Sequence, residues 1–363
     1  MRFLKRALKG EKGASMIMVA IAMVVILGFA VVTIDLSLLQ MARIQLQNAA
    51  DAAALAGALA LATSAHLDSA MAEAIRVAGL NVAIQDVQRP VIIDDADITI
   101  GHGLYIRVTT HRTIDTDDPV ILYFSRVLGD SLGEVTATAT AEYSWVCGTD
   151  CLRPFCPPDR WDDADSNGLW DPGEFYDPEI TGYRAPDDIG AQVILRLNDP
   201  GDSPRMGWFY AVRFGPVGGD TIYTGANWYQ QWIEGCEPFV VEIGDQLQME
   251  PGNMEGPTND GLESLINQDP DAYWDNGVVK NSRFPISPRI IKTCAFDPTL
   301  GVHNCAPGVD CVTVSKIMVL FVEQCDGAEV VGRFMTTATQ GTTDPNCPGR
   351  FLYKVALVPN PTY

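Results

Sequence analysis

No cysteine occurs in the first 146 residues, and none of the nine that follow is spaced C-x-x-C. That spacing serves zinc ribbons and thioredoxin-type redox sites, so neither is favoured. Histidine is scarce: His66, His102, His111 and His303 are all there are, with no H-x-x-x-H or H-E-x-x-H pairing. Zinc-dependent hydrolysis therefore has no motif to rest on. No G-x-S-x-G elbow and no phosphate-cradling glycine loop appears. Basic residues are also few, 25 against 46 acidic ones, for a net charge of −21. Nucleic acid is excluded as a partner, because binding phosphates needs a basic surface. Proline is absent from 36 to 83, which leaves that interval free to be helical.

Charge is missing altogether from Gly13 to Ile34, where the chain reads GASMIMVAIAMVVILGFAVVTI. As a helix these residues would cover roughly 33 Å, enough for a hydrocarbon core of about 30 Å. Arg2, Lys5, Arg6, Lys9 and Lys12 precede the run against a single Glu11, and Asp35 follows it. That asymmetry predicts a cytoplasmic N-terminus, with the rest of the chain outside. A cleaved signal peptide is the main alternative, but its apolar core is usually about 7–15 residues. A pilin-type leader cut after Gly13 is another, and it would build the span into a filament. The acidic residue that such spans carry near their start is absent from Ala14 to Met18.

Leu36 to about Ala83 is dominated by helix formers, with alanine at 49, 50, 52, 53, 54, 56, 58, 60 and 62. So many small side chains predict close packing against another helix or against the domain itself. A bend is expected at 66–68, with Asp68 or Ser69 capping a second helix over 71–80. β-Branched and aromatic runs then predict strands at 91–93, 98–100 and 105–109, with Gly101-His102-Gly103 as a turn. A short helix at 119–128 and a strand at 135–143 complete a small α+β head. Three cysteines and three prolines at 145–158 predict an irregular boundary. Beyond it, strands are expected at 192–197, 207–214, 238–243, 312–322 and 351–358, with a helix at 260–268 capped by Thr258. Aromatic groups at 208–210 and 228–232 would fill a β core or, alternatively, form a glycan-binding platform. Cysteines outside the membrane predict disulfides, with the odd ninth thiol left free or paired with another chain.

Residues 163–174 read DADSNGLWDPGE. Asp163, Asp165, Asn167, Asp171 and Glu174 fall at positions 1, 3, 5, 9 and 12 of an EF-hand calcium loop, with Gly168 at position 6. Three short acceptors on alternate residues curl the backbone round an ion, glycine takes the sharp turn, and Leu169 offers its carbonyl. Pro157 and Pro158 before the loop and Pro172 inside it rule out ordinary helical flanks. A calcium loop on a non-helical scaffold, with a structural role, is the expectation.

The basic leader, Gly13-Ala14-Ser15, the span, Ile34-Asp35-Leu36 and Leu46–Ala58 (LQNAADAAALAGA) together resemble the N-terminus of TadG-like proteins of the Flp (tight-adherence) pilus-assembly group. A fainter likeness continues at Phe124–Gly129, 135–141, Glu250–Thr258, 261–269, Ser287–Ile290 and Phe296–Pro298. The resemblance implies an inner-membrane anchor, other pilus-assembly proteins as partners, and no active site. The expected organisation is a cytoplasmic leader (1–12), a span (13–35), an alanine-rich stem (36–85), an α+β head (86–146) and a β-rich, disulfide-bearing domain (147–363). The expected fold class is α+β, and the expected function is non-enzymatic. Incorporation as a minor pilin, a glycan-binding surface module and a tethered hydrolase using a carboxylate pair are the rival readings.

Overall fold

The computed structural model describes residues 4–64, 66–83, 89–101, 105–123, 125–129, 131–215, 224–236 and 238–359. The chain divides into two compact units, Met1–Tyr143 with Val355–Tyr363, and Ser144–Lys354. The fold is mixed α and β, as the sequence predicts, with a long apolar helix at the start and the cysteines in a β-rich second unit.

Helix α1 runs unbroken from Leu4 to Ser64. Every residue from Ser15 to Ala30 is exposed on it, and from Ser15 onward Asp35 is the first buried one. From there the buried positions are Ala42, Leu46, Ala49, Ala50, Ala53, Ala54, Gly57, Ala58, Leu61 and Ala62, recurring at intervals of three and four. That periodicity places them on one helix face. The face packs on α2 (Leu67–Gly79) and on the sheet of β1 (Ile98–Gly101), β2 (Tyr105–Arg112) and the first part of β5 (Val135–Thr149). Ala70, Ala74 and Ala78 meet it from α2, and the inward residues of β2 include Ile106, Val108 and Thr110. The approach is tight at Gly57, where a Cβ would lie 2.5 Å from Ile106 Cδ1 and 3.3 Å from both Ala70 O and Ala74 Cβ. A small antiparallel pair, β3 (Val120–Ile121) and β4 (Leu132–Gly133), leans on the same helix, with Gly133 against Leu39.

α2 starts at Leu67, four residues earlier than the spacing suggests, and His66 precedes it without a side-chain cap. Asp68 is thus inside the first turn, where its charge complements the helix dipole, rather than at the cap. The stretch 119–128 is β3 followed by a 3-10 turn, Ser125–Leu128, not a helix. The β1–β2 hairpin forms with Gly101 opposite Tyr105, and its predicted turn residues His102 and Gly103 lie outside the described residues.

The second unit is built around an 18-residue strand. In chain order its strands are the end of β5, β6 (Leu152–Arg153), β7 (Phe155–Cys156), β8 (Gln192–Leu197), β9 (Trp208–Arg213), β10 (Val241–Glu242), β11 (Gln246–Met249), β12 (Tyr273–Asp275), β13 (Val278–Lys280), β14 (Ile290–Phe296), β15 (His303–Ala306), β16 (Val309–Asp326), β17 (Glu329–Phe334), β18 (Thr337–Ala338), β19 (Thr342–Thr343) and the start of β20 (Leu352–Val358). The main sheet runs β11-β9-β8-β17-β16-β14-β6, and β16 pairs with β11, β14, β15 and β17. Helices α3 (Ala226–Glu234) and α4 (Glu255–Gln268) pack together, and Gly261 lets α4 approach Ile233 of α3. The core is filled by large side chains, among them Phe155, Phe209, Tyr210, Tyr229, Trp232 and Phe296.

Three expectations change here. The stretch 145–158 is ordered: β5 continues to Thr149, held by Val241–Glu242 on one register and Thr342–Thr343 on another, and β6 and β7 follow on either side of Pro154. α4 begins at Glu255, because Pro257 falls in the first turn, where its missing N–H leaves no bond unmade. Thr258 is buried inside that helix, 3.1 Å from the Tyr229 hydroxyl, and does not cap it. The aromatic run 228–232 lies on α3.

Candidate functional site

The acidic loop is fastened at both ends. The Asp162 N–H donates to Phe175 O at 3.0 Å and closes its neck. Trp161, buried just before it, meets Trp170 edge-on with ring centroids 5.8 Å apart. In the middle, Met206 N–H donates to Gly168 O at 2.9 Å, and Leu169 forms an isolated antiparallel bridge with Arg205. Gly168 has φ +75°, the left-handed turn that glycine adopts without a steric penalty.

Within that frame the predicted residues converge. Carboxylate oxygens of Asp163, Asp165 and Glu174 lie within 4.8 Å of one another, the one group of its kind among the described residues. Asp163 accepts from Asn167 N–H at 3.2 Å and Gly168 N–H at 2.8 Å. Glu174 accepts from Ala164 N–H at 3.2 Å and Asp171 N–H at 3.0 Å, so position 12 folds back over position 1. The Asn167 side-chain amide donates to Asp165 at 2.9 Å and Asp171 at 2.7 Å, which ties positions 3, 5 and 9 together. Leu169 contributes a backbone position, with its N–H taken by Asn167 Oδ1 at 2.5 Å.

A buried ion pair that sequence reasoning missed holds the base of this segment. Asp159 and Lys316 meet at 2.7 Å with both side chains fully buried. Asp159 also accepts from the Tyr176 hydroxyl and the Tyr183 N–H, both at 2.9 Å. Lys316 donates to Pro178 O at 2.8 Å and Tyr183 O at 2.7 Å. Burial pushes the Asp159 carboxyl up, against the opposing pull of Lys316, and pushes the Lys316 ammonium down. No local motif announces a pair 157 positions apart.

Cysteines close other parts of the unit. Cys147–Cys347, Cys151–Cys236 and Cys305–Cys311 pair as disulfides, while Cys156 and Cys294 are buried thiols and Cys325 a half-buried one. Of the predicted aromatic platform, Phe209, Tyr210, Tyr229 and Trp232 are buried in the core. Among the described histidines, His111 faces Asp97 at 3.2 Å and His303 lies 3.3 Å from the Thr313 hydroxyl.

The second place where sequence and geometry converge is the stem. Asp35 is 3 % exposed, although it directly follows the uncharged run. Its carboxylate accepts from Tyr123 N–H at 3.1 Å and from the Ser125 N–H and hydroxyl at 2.6 Å each. It therefore fastens the 121–125 segment to α1 where the helix passes from its exposed length to its packed length. Higher up, the Gln47 amide donates to Asp51 at 2.8 Å and to Thr138 O at 3.2 Å, and Thr110 Oγ1 donates to Leu46 O at 2.9 Å. The alanines lie between these ties and allow the helix to sit close enough for them to form. Sequence reasoning used Asp35 for the end of the span, its direction and the family resemblance, not as a tertiary contact; its position directly after an uncharged run was the available signal.

Residues 13–62 match the family model of putative Flp pilus-assembly TadE/G-like proteins. The TadE/G-like segment coincides with α1 itself: it takes in the exposed apolar length, Asp35 and the alanine face, and stops two residues before the helix does. Every inward alanine of α1 named above falls inside it. α1 is also long and apolar enough to cross a membrane as a single pass. No curated protein and no solved structure matches the chain.

Proposed function

We propose that this chain is a single-pass inner-membrane protein of Flp/Tad-type pilus assembly or surface attachment, non-enzymatic, with both units beyond the span held outside the cytoplasm. The carrying observation is the coincidence of the TadE/G-like segment with one helix that has an exposed apolar length and a protein-packed length. The five bases ahead of the apolar run and Asp35 after it support the outward direction. Three disulfides, all beyond the span, agree with an oxidising compartment. Its partners are then other pilus-assembly proteins. Deletion of the chain from its host tests this, with thin pili counted by electron microscopy and surface attachment scored. Loss of both, restored by the full chain, is expected; undiminished pili and attachment would overturn it.

The acidic loop supplies a structural calcium site in this reading. Asp163, Asp165, Asn167, Asp171 and Glu174 would hold the ion with the Leu169 carbonyl, in place of the amide that now bridges Asp165 and Asp171. The convergence of three carboxylates on a loop clamped at neck and middle supports it. Extracellular calcium modules bind at about 0.1–1 mM, so about 10 mM calcium against a 1 mM site stabilises by about 1.4 kcal/mol. For a unit of this size that raises its melting temperature by about 3–6 °C. The full chain in detergent should show this shift, and Asp163→Ala should abolish it. An unshifted transition, or an equal shift in Asp163→Ala, sinks the calcium site.

A further inference from the structure

The β3–β4 pair is apolar on both faces. Val120 and Leu122 point inward and are buried, packed with the alanine core. The alternate residues Ile121 and Tyr123 point outward and are 51 % and 62 % exposed, and Leu132, directly across the ladder from Ile121, is 43 % exposed. A half-buried antiparallel strand facing water ordinarily alternates apolar with polar. Here the outward row is Ile121, Tyr123 and Leu132, which marks a surface made for contact.

Its position identifies what covers it. Tyr123 N–H and Ser125 N–H are bonded to Asp35, the residue that follows the last of the uncharged run. Gly133 rests on Leu39, one helical turn further along α1. The outward row is therefore fixed at the level of α1 where the apolar length ends, a level at which Ile34 and Leu36 are also exposed. Tyrosine is enriched at that depth of a bilayer, where its ring sits among the headgroups and its hydroxyl reaches water. Arg126, exposed in the adjoining turn, adds a cation at the level of lipid phosphates. We propose that Ile121, Tyr123 and Leu132 form a foot that seats the first unit on the phospholipid interface beside the emerging helix. The proposal rests on the anchor reading above.

The test places a photoreactive benzoylphenylalanine at Tyr123, at Val25 within the apolar run, or at Val278, an exposed residue of the second unit. The full chain is reconstituted in nanodiscs of phosphatidylethanolamine and phosphatidylglycerol, irradiated, and analysed by mass spectrometry. Lipid-mass adducts at 25 and 123, with none at 278, are expected. Ile121→Asp combined with Leu132→Asp should remove the adduct at 123 and leave the one at 25. An adduct at 25 with none at 123 overturns the foot and leaves the anchor standing. A protein adduct at 123 overturns it in favour of a second copy as the cover. No adduct at 25 overturns the anchor, and the foot with it.

Discussion

The two units solve the packing problem with opposite materials. Among the described residues, more than half of the core side chains of the first unit are alanines, and none is aromatic. Among the described residues, the main core cluster of the second unit holds two alanines, Ala211 and Ala295, surrounded by phenylalanine, tyrosine and tryptophan. An alanine buries little apolar surface, so the first unit gains little from any one contact. What it gains is backbone proximity, which brings Thr110 and Gln47 within hydrogen-bonding distance of their partners. The second unit gains large areas from each ring and adds three disulfides and a fully buried ion pair. One unit is therefore sensitive to any side chain that grows. The other is sensitive to any that is cut away.

That contrast can be broken, the largest effect first. Lys316→Ala leaves Asp159 charged and unpaired in the interior, a change that typically costs about 3–5 kcal/mol. Denaturation of the purified chain should show that loss in the second unit alone; a wild-type transition would mean the pair is not a keystone. Asp35→Ala removes the acceptor for two backbone N–H groups and a hydroxyl, worth about 2–3 kcal/mol in the first unit. Hydrogen exchange at the amides of 123 and 125 is the direct readout, and unchanged protection there would refute the clamp. Gly57→Leu forces a larger side chain against Ile106, Ala70 and Ala74, and overpacking of this kind costs about 1–3 kcal/mol. If the first unit absorbed it without loss of melting temperature, its alanines would be helix formers and not spacers.

What could be read in advance was whatever is encoded locally. The uncharged run, the alanine spacing, the twelve-residue acidic pattern and the late cysteines are each contiguous or periodic, and each has its structural counterpart. α3 was legible in principle: Tyr229, Trp232 and Ile233 are buried at helical spacing, but three aromatics in five residues suggest strand or platform. The order of 145–158 was not legible, because the partners that hold β5 there come from 241–242 and 342–343. The same holds for Asp159 with Lys316, for Asp35 with 123–125 and for the disulfide pairing, all fixed by contacts between distant parts of the chain.

Seen mechanically, α1 is a single lever. Residues 35–64 extend about 45 Å beyond the end of the apolar run, on the same unbroken helix that carries it. A tilt of about 20°, ordinary for a membrane helix, would swing the far end sideways by about 15 Å. No break separates the apolar length from the alanine-packed length, so in the proposed membrane setting bilayer thickness and lateral pull on the first unit would act on one and the same angle.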